Sequence, residues 1–104
     1  MLCYLSAEAL AAYPRLKETM FTDRARQFRD RLGWEVRVNR DGWETDQYDP
    51  LNPLYVIWRN PDGTHGGSMR FLPTTGRTMV NEHFLHLSPA GPVRNHGIWE
   101  CTRL

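Results

Sequence analysis

Two arginines occur at positions where the sequence otherwise predicts a packed interior. Arg24 lies between Met20 and Phe28 in the apolar stripe of a predicted helix, because positions four apart follow nearly one line along a helix. Arg70 lies inside the predicted strand SMRFL, residues 68–72. Either side chain can reach water from the edge of the apolar surface, or it can be buried in a hydrogen-bonded ion pair.

Carboxylates that could pair with these arginines occur in two other segments. The segment WETDQYDP, residues 43–50, contains Asp46 and Asp49, although aspartates of this kind are also common turn formers. The last predicted strand contains Glu100 and Arg103. Their side chains face opposite sides of a sheet by simple alternation, unless a bulge intervenes. The charged residues are therefore either scattered over the surface or joined in one network at the sheet.

A charged network beside Phe28 and Trp34 would suit a ligand that carries both charges and a flat ring. Arginine binds a carboxylate through two parallel hydrogen bonds, and an acidic side chain can hold an ammonium group. An aromatic face attracts a cation or stacks on a base. The residue types therefore favour a binding site for a small charged molecule.

The overall charge excludes some function classes. Lys and Arg total 13 against 12 Asp and Glu, for a formal net charge of +1, which indicates neither a nucleic-acid nor a membrane partner. No apolar run approaches the roughly 20 residues of a membrane span. The first ten residues lack the basic and apolar regions of a secretory signal. We therefore expect a cytoplasmic protein.

The cysteines and histidines favour neither a disulfide nor a metal site. Without a secretory signal, Cys3 and Cys101 are expected to remain thiols. The pair His83 and His86 has no cysteine or acidic residue nearby at ligand spacing. We expect no metal and no cofactor.

Local sequence signals predict the elements that must position the charged residues. Ser6 is a good N-cap for a short helix that reaches Ala12. Pro14 suits the first position of a second helix, and Gly33 suits the position after its end. Further segments are predicted as strands (1–5, 34–38, 54–58 buried on both faces, 68–72, 97–104), turns or loops (41–42, 43–53, 60–67, 73–77, 88–92) and a short helix (78–86). One α/β domain with helices packed on a mixed, largely antiparallel sheet follows.

Four segments together resemble a known family. They are FTDRARQFRDRLGW, DQYDPLNPLYVIW, GGSMRFLPTTGRTMV and IWECTRL, and they are similar in order and spacing to the N-terminal part of the acyl-homoserine-lactone synthases, the autoinducer synthases of bacterial quorum sensing. The resemblance implies an acetyltransferase-like α/β/α sandwich. It also implies that residues 1–104 are a single domain, the N-terminal portion of a longer synthase domain.

The resemblance implies an acyltransferase activity. Members of the family join an acyl group, usually delivered by acyl carrier protein, to the amine of S-adenosylmethionine. The methionyl carboxylate then closes on its own γ-carbon, which expels methylthioadenosine and leaves the lactone signal. S-adenosylmethionine is thus a substrate rather than a cofactor, and acyl carrier protein is the implied partner.

The resemblance also implies roles for individual residues. Arg24, Phe28 and Trp34 match the family's motif for the S-adenosylmethionine site. Thr102 stands where the family commonly has a serine, so a hydroxyl group is retained.

The implied catalytic residues match the family's charged cluster and its conserved acid. Glu100 matches the acid that helps to deprotonate the amine. The residues given catalytic roles are Asp46, Asp49, Arg70, Glu100 and Arg103.

The family's C-terminal half has no counterpart in this sequence. As a whole product the chain is therefore expected to have weak or no synthase activity, and an unpaired strand edge near residue 104 could lead to self-association. Two alternatives stay open. One is a small acetyltransferase-like protein that uses acyl-coenzyme A, and the other is a non-catalytic module that binds S-adenosylmethionine or pairs with another subunit.

Overall fold

A computed structural model describes residues 1–82, 91, 94 and 98–103 of the chain. Four strands form one sheet in the order β1-β2-β3-β4, and each neighbouring pair is antiparallel. The elements are β1 (Leu2–Ser6), α1 (Ala7–Leu10), α2 (Pro14–Ala25), a π-helical turn (Arg26–Arg31), a 3₁₀ turn (Asp49–Leu51), β2 (Leu54–Arg59), β3 (His65–Pro73), α3 (Met79–Glu82) and β4 (Trp99–Thr102). The predicted α/β class with helices on a largely antiparallel sheet is confirmed.

The predicted helix starts are confirmed by their caps, whereas α1 ends at Leu10, short of the predicted Ala12. The Ser6 hydroxyl accepts a hydrogen bond from the backbone N–H of Ala9 at 3.1 Å, and α2 begins at Pro14. Gly33 has φ +68°, the left-handed conformation that ends a helix at low cost for glycine. The turn before it is π-helical, and Phe28 lies within it.

The core joins α1 and α2 to one face of the sheet. Leu10 and Leu16 pack with Met20 against Tyr55 and Ile57 of β2. This packing holds α2 across the sheet, so that Arg24, one turn beyond Met20, is carried to the same face. The apolar stripe thus determines where the guanidinium group must lie.

The segment 34–38 does not form the predicted strand. Its backbone makes only an isolated bridge, between Val38 and Glu44, within a local turn in which the Asn39 N–H donates to the Trp43 carbonyl at 2.9 Å. Alternating apolar residues indicate an extended segment, but a strand also requires a neighbouring backbone with which to form a ladder. This segment lies off the sheet, and Trp34 is 52% exposed.

The β2–β3 hairpin is confirmed, with two differences from prediction. Tyr55, Val56 and Ile57 are buried, but Trp58 is exposed. Only the middle of β2 is therefore buried on both faces. The turn is shorter than predicted, because β3 already begins at His65.

The last predicted elements are only partly described. The helix expected over 78–86 is present at Met79–Glu82, whereas His83, His86 and the loop before residue 91 lie outside the described residues. Among the described strands, β4 pairs with β3 alone, and self-association through this edge stays a prediction. No helix in the described ranges has the length and apolar character needed to cross a membrane.

Candidate functional site

Six charged side chains form a closed ring of ion pairs on the helix-facing side of the sheet. Arginine and carboxylate alternate around the ring, so each arginine contacts two acids and each acid contacts two arginines. The members, in ring order, are Arg24, Glu44, Arg103, Asp46, Arg70 and Asp49. They come from α2, the loop before β2, β3 and the residue after β4.

Arg24 is buried in this ring rather than extended to water. Its Nη1 and Nη2 donate to the two carboxylate oxygens of Asp49 at 2.9 and 3.1 Å. Nη2 also donates to Glu44 Oε2 at 3.1 Å. Arg24 is 4% exposed and Glu44 is 0% exposed. The ring therefore explains the cation in the apolar stripe, and the alternative in which Arg24 reaches solvent is wrong.

Arg70 occupies the sheet side of the ring. Its Nη1 donates to Asp46 Oδ1 at 2.6 Å and lies 3.3 Å from Asp49 Oδ1. Its Nε donates to the Thr102 hydroxyl at 3.0 Å, across the β3–β4 register that pairs the two residues. The hydroxyl retained at position 102 thus orients Arg70.

Arg103 joins the ring because the chain turns sharply after β4. Its φ is +58°, which breaks strict alternation and brings the guanidinium to the side of Arg70. Arg103 Nη2 donates to Asp46 Oδ2 at 2.9 Å, and Nε lies 2.8 Å from Glu44 Oε1. Simple alternation, which placed Arg103 on the face opposite Glu100, is therefore wrong at this residue.

Glu100 lies beside α3. Its Oε1 accepts a hydrogen bond from the backbone N–H of Met79 at 3.1 Å, the first residue of that helix. The side chain is half-buried. A carboxylate at this point has one oxygen already engaged by the backbone.

Two aromatic rings flank the charged ring. Phe28 and Trp34 stack with centroids 5.1 Å apart and planes 17° apart. The guanidinium carbon of Arg103 lies 5.3 Å from the Phe28 centroid. Phe28 therefore lies against the charged cluster as expected, and Trp34 lies next to it through its stack on Phe28.

Burial and pairing shift the pKa values of Arg24 and Asp49 in opposite directions. Burial alone raises the pKa of Asp49, but hydrogen bonds and charge from Arg24, helped by Tyr55, hold it at about 2. Burial lowers the pKa of Arg24, yet Asp49 and Glu44 more than offset it, so this pKa lies above its ordinary value. Pairing therefore overcomes desolvation for both groups, and Arg24 and Asp49 stay charged at neutral pH.

Sequence reasoning missed Glu44 and Tyr55 as partners of the cluster. Glu44 stands two positions before Asp46, and residues two apart share a face in an extended segment, so this signal was present. The Tyr55 hydroxyl donates to Asp49 Oδ1 at 2.6 Å. That contact depends on the β2–β3 register, which places Tyr55 opposite Arg70. No local sequence pattern specifies this register.

Members of the ring line two clefts. One cleft of about 750 Å³ is bordered by Glu44, Asp46, Tyr48, Met79 and Arg103, among others. A second cleft of about 310 Å³ is bordered by Arg24, Phe28 and Arg103. Such volumes fall within the range of small-molecule sites, and the ring gives both clefts charged walls.

The chain matches known proteins along almost its whole length. The family model described as autoinducer synthase matches residues 9–104. An acyl-homoserine-lactone synthase from Rhizobium etli is 46% identical over 105 residues, which cover 99% of this chain and 49% of the relative. A synthase from Pseudomonas fluorescens is 32% identical, with 96% of this chain and 53% of the relative covered. The chain thus spans about half the length of these curated relatives.

Solved structures of acyl-homoserine-lactone synthases are also similar to this chain. The CoA-dependent acyl-homoserine lactone synthase BjaI, solved with SAM and isopentyl-CoA, has a TM-score of 0.87 at 31% identity, covering 99% of this chain and 49% of that one. The AHL synthase LasI has a TM-score of 0.81 at 32% identity, covering 98% of this chain and 50% of that one. With the family model matched over 9–104, the chain belongs to the autoinducer synthase family.

Proposed function

We propose that this chain supplies the S-adenosylmethionine-binding part of an acyl-homoserine-lactone synthase, an acyltransferase that makes a quorum-sensing signal. The amino substrate is S-adenosylmethionine, and the acyl donor is an acyl thioester of acyl carrier protein. The observation that carries the proposal is the closed ring of three arginines and three acids beside a stacked aromatic pair. Family membership supports the same reaction.

The ring offers both charges that an amino-acid group requires. Asp46 and Arg103 are its most accessible members, at 12% and 13% exposed side-chain area. Asp46 suits the α-ammonium group, and Arg103 suits the α-carboxylate. Arg24 and Asp49 are buried behind them, where their bidentate pair holds the two contact residues in place.

The aromatic pair suits the rest of the substrate. Trp34 keeps about half of its surface exposed while it stacks on Phe28. An exposed aromatic face can stack on the adenine or attract the sulfonium. The proposed binding residues are therefore Arg24, Phe28 and Trp34, together with the exposed edge of the ring.

The reaction requires a base and a polarised carbonyl. The α-ammonium must lose a proton before its nitrogen attacks the thioester carbon, and the half-buried Glu100 is the carboxylate that we assign to this step. The carbon–sulfur bond then breaks and the donor leaves as a thiol. Attack of the methionyl carboxylate on its γ-carbon closes the lactone and expels methylthioadenosine. Asp46 and Arg103 contact the substrate in both bond-forming steps, and the buried Asp49 and Arg70 hold these two side chains in position.

Two alternatives have specific support. The ring closes entirely on side chains of this chain, beside both aromatic residues, which favours a module that binds S-adenosylmethionine by itself. The related structures titled as CoA-dependent favour acyl-coenzyme A as the acyl donor.

Calorimetry followed by a lactone assay tests the proposal. We expect saturable binding of S-adenosylmethionine that Arg24→Ala abolishes and Arg26→Ala leaves intact, since Arg26 is 73% exposed. Lactone is then assayed with acyl carrier protein and with coenzyme A thioesters. Binding without lactone would indicate the module, and lactone from only one donor would identify the thioester. Absence of binding would overturn the proposal.

A further inference from the structure

A second constellation of polar side chains lies outside the charged ring. His65 Nδ1 is 2.7 Å from Asp23 Oδ2, and His65 Nε2 is 2.9 Å from the Ser68 hydroxyl. Both distances fall within the hydrogen-bond range expected of an activated nucleophile, its base and the group that orients the base. The S-adenosylmethionine site proposed above assigns no role to these three residues.

A β-bulge brings His65 and Ser68 to the same face. Residues three apart on a regular strand point to opposite faces. Here Trp58 pairs with Gly67 and Arg59 pairs with His65, so Gly66 is the extra residue of a bulge. A Cβ on Gly66 would lie 2.8 Å from both Trp58 Cδ1 and Asn60 Oδ1. Glycine is therefore required for the close packing that sets the bulge.

The helix side completes the arrangement. Asp23 lies on α2, one residue before Arg24. The backbone N–H of His65 donates to the Thr19 hydroxyl at 2.9 Å, one helical turn earlier. Two hydrogen bonds therefore hold the His65 residue against α2 while its ring reaches Ser68.

We assign the tautomer of a neutral His65 ring from its hydrogen-bond partners. An ionised Asp23 carboxylate can only accept hydrogen bonds, so His65 Nδ1 carries the proton. In the neutral ring Nε2 is then an acceptor, and the Ser68 hydroxyl donates to it. This tautomer is the one required of a general base that activates a serine.

The constellation opens onto the smaller cleft. His65, Gly66, Gly67 and Ser68 line the cleft of about 310 Å³ together with Arg24.

We propose that Ser68 is an activated nucleophile that accepts acyl groups from small carboxylic esters and thioesters, with His65 as its general base and Asp23 as the group that orients His65. Ser68 Oγ bonds to the carbonyl carbon and its proton passes to His65 Nε2. The carbon–sulfur or carbon–oxygen bond breaks, and the leaving group takes that proton. Water then attacks the acyl-serine, which releases a carboxylic acid and restores Ser68.

Covalent labelling tests this proposal without depending on S-adenosylmethionine. A fluorophosphonate transfers its phosphorus to an activated serine with loss of fluoride, and peptide mass spectrometry locates the label. We expect label on Ser68 in the wild-type chain and none at that position in Ser68→Ala. His65→Gln should slow labelling at least about 100-fold, the scale of general-base catalysis. With p-nitrophenyl acetate, the acetyl group should also appear on Ser68.

Matched controls separate catalysis from folding. Asp23→Asn should slow labelling, whereas Asp30→Asn should not, because Asp30 is 53% exposed and pairs only with Arg29 among the contacts described for it. Wild type unfolded in urea should not be labelled. This control shows that labelling requires the folded site, even if His65→Gln fails to fold. No label on Ser68 in the folded wild type, or equal labelling in folded His65→Gln, would overturn the proposal. Acetyl groups found only on residues such as Cys101 or Lys17 would do the same.

Calorimetry on the same samples keeps the two proposals separate. S-adenosylmethionine binding with no Ser68 label would reject only the nucleophile. Label without binding would reject only the proposed function.

Discussion

Arg24 and Asp49, 25 residues apart in the chain, form a bidentate ion pair at 2.9 and 3.1 Å. The pair joins α2 to the loop before β2 and continues through Asp49 to Arg70. A buried arginine is stable only while its carboxylate partners are in place. The helix, the loop and the sheet are therefore coupled through one network, and disturbing any member should affect both stability and the proposed substrate site.

The first prediction concerns removal of the buried cation. Arg24→Ala leaves Asp49 and Glu44 short of a partner in a dry environment, so we expect the free energy of unfolding to fall by about 3–5 kcal/mol. Arg26→Ala, two positions away on an exposed face, should change it by less than about 0.5 kcal/mol. Urea denaturation measures both. Equal losses would show that the ring does not depend on Arg24.

The second prediction concerns acid. The pKa of Asp49 is lowered from 3.8 to about 2 in the folded chain. Between these values the unfolded chain binds a proton that the folded chain does not, so stability is lost as the pH falls from about 4 to about 2. The contribution is roughly 2 kcal/mol above this window.

Urea denaturation across a pH series checks the acid prediction. Asp49→Asn should be less stable at neutral pH and should lose less stability as the pH falls through the window. The exposed control Asp30→Asn should keep the wild-type slope. If Asp49→Asn keeps the wild-type dependence of stability on pH, other carboxylates cause the loss of stability in acid.

The third prediction concerns the Tyr55 hydroxyl, which donates to Asp49 at 2.6 Å in a buried position. Tyr55→Phe should cost about 1–3 kcal/mol, because the bond is made to a charged group. The pKa of Asp49 should also rise, since this bond helps to lower it. Tyr13→Phe, at an exposed tyrosine, is the control, and chemical denaturation at two pH values is the measurement. Identical behaviour of the two variants would contradict the prediction.

The fourth prediction separates substrate binding from stability. Trp34 is half exposed and stacks on Phe28, so Trp34→Ala should reduce stability by less than about 1 kcal/mol. It should weaken S-adenosylmethionine binding by about 3- to 30-fold, the scale of one cation–π contact. Trp99→Ala removes an equally exposed tryptophan from β4 and should leave calorimetric affinity unchanged. Equal losses of affinity would remove Trp34 from the site.

The fifth prediction concerns the bulge. Gly66→Ala places a Cβ 2.8 Å from the Trp58 side chain and 3.3 Å from its backbone oxygen, so we expect a loss of about 1–3 kcal/mol. It should also reduce fluorophosphonate labelling of Ser68. Gly67→Ala enters open space and should be neutral in stability. Thermal melts and labelling of both variants provide the comparison, and a fully labelled Gly66→Ala would separate the bulge from the nucleophile.

Local chemistry in the sequence was sufficient for most of the elements that hold the site. A serine N-cap, a proline at the first helical position and a glycine after the last turn act within a few residues, so Ser6, Pro14 and Gly33 predicted the helix ends. Helical spacing placed Arg24 beside Met20. The sequence by itself identified the arginines and aspartates that could meet but left open whether they do, because a charge on an apolar surface requires either a partner or a path to water.

Only the tertiary structure decided how the ring closes and which segments form the sheet. Arg103 reaches the ring because its backbone has φ +58°. The strand register places Tyr55 opposite Arg70, and a β-bulge places Ser68 beside His65. The segment 34–38 has a strand pattern but no neighbouring strand. These outcomes depend on contacts between residues far apart in the chain, whereas periodicity and capping report only on near neighbours.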